Sequence, residues 1–205
     1  MKRPLRHSFE VRTKRLVLRP LRLSDFSVWR DSHGKTFTEQ NEWDRSRKSA
    51  GPLTRSQLKK LVTHLTDQWK RDEFYGFAVF KKKTGEIVGY VSLMDLQRKI
   101  FQNAYLGYLI LNTHWGKGYC PEAVQAALEI GFRKFNLHRI EAGIDPRNSR
   151  SIAVAKRLGM RREGKSLRRL FLSGQWNDMY SYVVTCEDLK IKWKPTPWNK
   201  VPKIG

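Results

Sequence analysis

The stretch Leu109-Ile-Leu-Asn-Thr-His-Trp-Gly-Lys-Gly-Tyr-Cys-Pro-Glu-Ala123 decides the reading of this chain. An apolar strand end, Leu109, Ile110 and Leu111, feeds a turn holding Gly116 and Gly118. The turn opens a helix marked by Pro121, since proline is tolerated at a first helical position. The first amides of a helix lack internal partners and carry the positive end of its dipole. Glycines beside them let a ligand approach the backbone closely. Such a turn is either a plain strand-to-helix connection or a pyrophosphate cradle, to which Lys117 would add charge. The P-loop spacing G-x-x-x-x-G-K-S/T is missing, and so are the third glycine and distant acid of a dinucleotide fold. A phosphate-bearing ligand other than a dinucleotide is expected.

Downstream, Ile140, Ala142 and Ile144 alternate as a strand that Asp145-Pro146 breaks. A short helix over about 151–158 closes on Gly159. Asn148 and Ser151 put an amide and a hydroxyl at the start of that helix; taken alone, Ser151 reads first as its cap. Upstream, Leu16–Arg19 is a strand ended by Pro20, and Ser24 is the expected cap of a short helix that turns Phe26 and Trp29 inward. Residues 33–53 lack periodicity and read as a long loop, where Phe37 and Trp43 line either a cleft or the core. Thr54 and Gln57 form a capping box before the stripe Leu58, Leu61, Val62, Leu65 and Trp69. Phe77 and Val79, the turn Lys83-Thr84-Gly85 and Ile87–Leu93 make a hairpin. Ala104–Leu111 is apolar enough to be a central strand, and the helix from Pro121 runs to about Phe135. Arg168–Leu172 and Tyr180–Thr185 form a final hairpin around Ser173-Gly174. Strands and helices in this mixed order predict an α/β (mixed α+β) domain.

The 205 residues suit one domain with short extensions: a basic arm over 1–11, a domain over 12–188 and a basic tail over 189–205. No apolar run approaches the ~18 residues that span a bilayer, so no membrane association is expected. The basic N-terminus is not followed by an apolar segment, so no secretory signal is expected either. Cys120 and Cys186 cannot make a disulfide framework or a four-ligand zinc site, which points to a reducing, cytoplasmic setting. His7, His33, His64 and His114 lack partners at metal spacing, and His138 reads as structural, so no metal is expected. Cys120 sits where a helix dipole lowers a thiol pKa and so could be mistaken for a nucleophile.

The net charge of +22 is the unusual feature. Residues 45–60 hold six basic side chains and no acid; residues 147–169 hold nine against Glu163 alone. Such a surface attracts anions, ribosomal RNA among them, and repels polycationic substrates. A generally basic proteome would account for it without any partner.

Two segments together resemble the GNAT family of N-acetyltransferases. Trp115-Gly-Lys-Gly-Tyr-Cys120 occupies the register of that family's pyrophosphate loop, Q/R-x-x-G-x-G/A, with Trp115 and Cys120 departing at its ends. Asn148-x-x-Ser151-x-x-x-x-Lys156-x-x-Gly159-Met160 is similar to the family's N-x-x-S-x-x-x-x-K-x-x-G-F. Thr13-Lys-Arg-Leu-Val-Leu-Arg19, Tyr105-Leu-Gly-Tyr108 and Gly174-Gln-Trp-Asn-Asp178 resemble the RimJ/RimL branch, RimJ most closely. The resemblance covers roughly residues 12–186.

It implies a single, mostly antiparallel sheet flanked by helices, with acetyl-CoA bound at a splayed central strand pair. It also implies direct transfer of acetyl to a primary amine, most simply the N-terminus of a ribosomal protein, by a monomer or homodimer. A small-molecule amine, or a non-catalytic RNA-binding role for the same fold, are the alternatives. By resemblance, Leu109, Ile110 and Leu111 pair with the pantetheine arm. Trp115, Gly116, Lys117, Gly118, Tyr119 and Cys120 surround the pyrophosphate, with Lys156 a further cofactor contact. Asn148 lies near the acetyl group, and Ser151 protonates the leaving thiolate. The tyrosine acid of other members is absent from Ile152-Ala-Val-Ala-Lys156, and Arg168–Leu172 lacks the glutamate base of RimL-like enzymes. Glu42 and Asp95 are the candidate bases, or else acids of the surface that orient substrate.

Overall fold

A computed structural model describes residues 8–34, 38–44, 51–172 and 174–194. The expectations for 1–7, for Phe37 and 45–50 in the loop, for Ser173 and for 195–205 lie outside these residues. Eight strands form one sheet in the order β1-β2-β3-β4-β5-β6-β8-β7. They are β1 (Val11–Arg12), β2 (Leu16–Arg19), β3 (Phe74–Lys81), β4 (Ile87–Gln97), β5 (Asn103–Ile110), β6 (Arg139–Ile144), β7 (Arg161–Leu172) and β8 (Gln175–Thr185). Pairing is antiparallel for β1–β2, β2–β3, β3–β4, β6–β8 and β7–β8, and parallel for β5–β6. The helices are α1 (Phe26–Gly34), α2 (Arg55–Arg71), α3 (Tyr119–Glu129) and α4 (Ser149–Arg157). The chain divides into two compact units, residues 1–94 with 107–127, and residues 95–106 with 128–205.

In the first unit, α2 begins as its sequence dictates. The Thr54 hydroxyl accepts from the Gln57 N–H, and the Gln57 side chain accepts from the Thr54 N–H at 2.7 Å. Leu58 and Trp69 are buried, but Leu61 is 36% exposed, which corrects the five-residue stripe. At 100° per residue, Leu61 lies about 70° off the centre of the face set by Leu58, Val62, Leu65 and Trp69. Leu58 and Val62 of that face pack into a core with Leu21, Trp29, Ala78, Phe80 and Ile87, and Trp69 packs against Phe9, Tyr75 and Phe77. A 3-10 turn over Leu23–Asp25 precedes α1, so Ser24 is not the cap: Asp25 does that work. Its carboxylate accepts the Arg22 N–H at 2.8 Å and two nitrogens of Arg19 at 2.7 Å each. Helix α1 continues to Gly34, past the expected start of the loop.

Helix α3 starts at Tyr119, two residues before the expected Pro121. Proline fits a third helical position as well as a first, because the first four N–H groups have no internal partner. Past Glu129 the coil widens to a π-turn over Ile130–Lys134, closed by the Phe135 N–H on the Ile130 carbonyl at 3.1 Å.

In the second unit, β5 and β6 pair only from Asn103–Arg139 to Tyr105–Glu141. Strands β7 and β8 form a long hairpin in which every β7 residue is exposed and the register shifts twice. Residues 186–194 fold back on this unit. Ile191 is buried, its N–H donates to the Cys186 carbonyl at 2.8 Å, and the Trp193 indole donates to the Asn136 carbonyl at 3.1 Å.

Candidate active site

The first unit holds the glycine turn. Gly116 and Gly118 adopt φ of 74° and 70°, a left-handed backbone that glycine takes without strain. The Arg15 guanidinium then grips the turn from one side. It donates to the Lys117 carbonyl at 2.8 Å, the Gly118 carbonyl at 3.0 Å and the Glu122 carboxylate at 2.6 Å. In a trans peptide the N–H points opposite to the C=O, and no cis bond occurs among the described residues. The N–H groups of Gly118 and Tyr119 therefore point away from Arg15. Tyr119 is also the first residue of α3, where N–H groups have no intrahelical partner, so this helix end offers donors of the kind that suit a phosphate oxygen.

Glu122 anchors this arrangement from the first turn of α3. It also accepts from the Thr13 hydroxyl at 2.6 Å and the Arg15 N–H at 2.8 Å. Burial alone would raise its pKa. The bonds from the Thr13 hydroxyl, the Arg15 N–H and the Arg15 guanidinium outweigh it, so the net shift is downward. Arg15, Thr13 and Glu122 are the functional residues that reading along the chain missed. The signal was present: Thr13 and Arg15 are the fixed positions of the motif Thr-x-Arg-Leu, and Glu122 belongs to Pro-Glu-Ala.

Trp115, which departs from the expected Gln or Arg, has work of its own. Its indole N–H donates to the Ile110 carbonyl at 2.6 Å and ties the turn to the end of β5. The Leu111 N–H is taken by the Val88 carbonyl at 2.9 Å. Any ligand pairing along Leu109–Leu111 must therefore use other backbone groups. Lys117 is exposed, its amine on the Thr113 carbonyl at 2.9 Å. Burial pushes the Cys120 thiol up to about 12, the reverse of what a helix N-terminus does to an open thiol. Glu42 is exposed in the loop. The buried acid there is Asp44, which accepts from the Asn112 amide at 2.9 Å and so fixes the chain just after Leu111.

Asn148, Ser151, Lys156 and Asp95 belong to the second unit. Asp145 is buried and folds the connection after β6: it accepts from the Arg147 N–H at 2.9 Å and from that guanidinium at 2.7 Å. Asn148 then caps α4, its side-chain oxygen accepting the Ser151 N–H at 3.1 Å. Ser151 is thus not the cap; it sits half-buried in the first turn with its backbone held by Asn148. Lys156 is exposed in the last turn of α4. Asp95 is exposed near the end of β4 at φ 51°, a conformation that aspartate tolerates better than most residues.

A glycine turn behind a strand end, on a mixed sheet of this order, has clear relatives. Residues 15–161 match the acetyltransferase (GNAT) domain, and the chain belongs to that family. It is an N-acetyltransferase. It is 32% identical over 167 residues to the probable N-acetyltransferase YjcK of Bacillus subtilis, covering 80% of this chain and 91% of that one. It is 34% identical over 126 residues to the ribosomal protein uS5-alanine N-acetyltransferase of Escherichia coli, covering 62% and 63%. Among solved structures, the ribosomal-protein-S5-alanine acetyltransferase of Vibrio fischeri superposes with a TM-score of 0.77 at 26% identity, covering 92% of this chain and 100% of that one. The fold of Mycobacterium smegmatis RimJ in complex with CoA-disulfide matches with a TM-score of 0.70. Members of the family use acetyl-CoA. None of the described helices is long and apolar enough to cross a membrane.

Proposed function

We propose that this enzyme transfers acetyl from acetyl-CoA to the N-terminal α-amine of a protein, a ribosomal protein being the favoured target. The observation that carries the choice of acceptor is the net charge of +22. Relatives of this chain include enzymes named for ribosomal-protein alanine and others named for spermidine. A strongly positive surface repels a polyamine and attracts an RNA-bound particle.

In this reading the amides of Gly116–Cys120 take the pyrophosphate, Leu109–Leu111 run beside the pantetheine arm, and Lys156 adds a cofactor contact. Asn148 lies near the acetyl group. The amine attacks the thioester directly, and Ser151 gives its proton to the departing thiolate. Glu42 and Asp95 serve as base or orient the amine. A strong base is unnecessary for this acceptor. Freeing a proton at pH 7 costs about 1 kcal/mol for an α-amine of pKa ~8 and about 4–5 kcal/mol for a lysine of pKa ~10.4.

The test is CoA-thiol release with peptides starting in Ala, Ser, Thr or Met, each beside its N-blocked twin, and with spermidine. Release from free peptides alone supports the proposal. Faster turnover of spermidine than of every peptide overturns it.

A further inference from the structure

The second unit carries a group of side chains that acetyl transfer does not use. His138 lies just before β6, and Cys186 and Glu187 follow β8 directly. Their donor atoms, an imidazole nitrogen, the thiol sulfur and a carboxylate oxygen, all lie within 4.8 Å of one another. The sequence reading expects no metal and a structural His138; the trio joins residues nearly fifty positions apart.

The backbone holds the trio in register. The Cys186 N–H donates to the His138 carbonyl at 3.0 Å, and the His138 N–H donates to the Gln102 carbonyl at 2.7 Å. The Cys186 carbonyl accepts the Ile191 N–H. His138 Nε2 lies 3.0 Å from Glu187 Oε1. The His138 and Trp193 rings meet edge to face, 5.9 Å between centroids. An exposed His–Glu pair alone is ordinary. A buried thiol joined to both on a pinned backbone is not.

We propose that His138, Cys186 and Glu187 form a binding site for a thiophilic divalent cation of the zinc class, with water completing the shell. One thiolate, one imidazole and one carboxylate suit Zn2+ or Co2+ and disfavour Mg2+ and Ca2+, which prefer oxygen ligands. Donors around tetrahedral zinc lie roughly 3.3–3.8 Å apart, given bonds of about 2.0–2.3 Å. Closing the site thus takes about 1 Å of side-chain movement, which the exposed Glu187 and half-exposed His138 supply while buried Cys186 stays in place. The cation replaces the proton of the Cys186 thiol, which passes to solvent. Bound metal would fasten the start of β6 to the turn after β8, and through Ile191 and Trp193 hold the segment that follows. The inference is independent of which amine the enzyme acetylates.

The experiment uses the full-length chain, free of any affinity tag and stripped with chelator, titrated with Co2+. The expected result is a near-ultraviolet thiolate-to-cobalt band that saturates at one equivalent and is displaced by Zn2+. Cys120→Ser keeps the band and Cys186→Ser loses it. His138→Ala, a less buried change, weakens binding at least tenfold while far-ultraviolet circular dichroism stays native. Co2+ also quenches part of the tryptophan fluorescence, and Trp193→Phe removes that part. Absence of the band, its survival in Cys186→Ser, or wild-type affinity in His138→Ala would overturn the site.

Discussion

Arg15 and Glu122 lie 2.6 Å apart across most of the first unit's sequence, and together they shape the glycine turn before α3. The carboxylate fixes the guanidinium, and the guanidinium turns two peptide groups so that their N–H ends face outward.

Glu122→Gln keeps the shape of the side chain and removes its charge. The KM for acetyl-CoA should then rise by a few-fold to roughly tenfold with little change in kcat, from the loss of a charge-assisted hydrogen bond. Steady-state kinetics at saturating acceptor check this. An unchanged KM would separate the clamp from cofactor binding.

The same carboxylate fixes an acid limit. Its folded pKa is depressed below the ordinary 4.5, so it adds stability above the unfolded value and loses it as pH falls through the lowered one. Glu86, lowered foremost by its bond from Lys81, acts in the same direction. Melting temperature should be flat near neutrality and drop as pH falls through the carboxylate range. Glu122→Gln should flatten that drop, as thermal melts across pH would reveal.

Gly118→Ala tests the turn itself. A left-handed alanine is strained by about 1–2 kcal/mol. Its Cβ would also meet Arg15 Nη2 at 3.4 Å. Acetyl-CoA affinity, measured by calorimetry, should weaken about tenfold. Equal affinity would show that the turn adapts without this backbone.

Cys120 should be inert. Burial holds its thiol near 12, so the neutral form persists throughout the working range. Cys120→Ala should retain activity within about twofold, and iodoacetamide should label this position slowly. A large loss at matched stability would mean that the thiol takes part in transfer.

Ser151→Ala keeps the hydrogen bond that the Ser151 N–H donates to the Asn148 side chain. General acid catalysis contributes roughly 10²–10⁴-fold, so kcat should fall by that order while the acetyl-CoA KM holds. Full activity would mean that the thiolate leaves unaided.

Local chemistry made much of this fold readable. Thr54 with Gln57, the turn at Lys83–Gly85 and the pair Gly116 and Gly118 each fix a backbone shape within a few residues, so their neighbours suffice to predict them. Failures came where two neighbouring residues compete for one role, or where partners lie far apart in the chain. Ser24 and Asp25 compete for one helix start, and Arg19 settles it by binding Asp25. Ser151 and Asn148 compete likewise, and the turn built on Asp145 presents Asn148. The grip of Arg15 on Lys117 and Gly118 joins residues about a hundred positions apart, a relation that no local pattern encodes. The trio His138, Cys186 and Glu187 is hidden for the same reason.

Strand β7 leaves one open edge on the sheet, and Arg161, Arg162, Lys165, Arg168 and Arg169 all sit on it. Beside them Leu167, Phe171 and Trp176 face solvent. Unguarded, such an edge invites another strand to join it. Here each approaching copy brings the same positive charge, so repulsion acts as a brake on lateral growth. Salt should release the brake: raising ionic strength from about 0.1 M to 1 M shortens the screening length from ~10 Å to ~3 Å. This protein should therefore stay dispersed in dilute buffer and begin to self-associate in concentrated salt, the reverse of a protein held together by ion pairs.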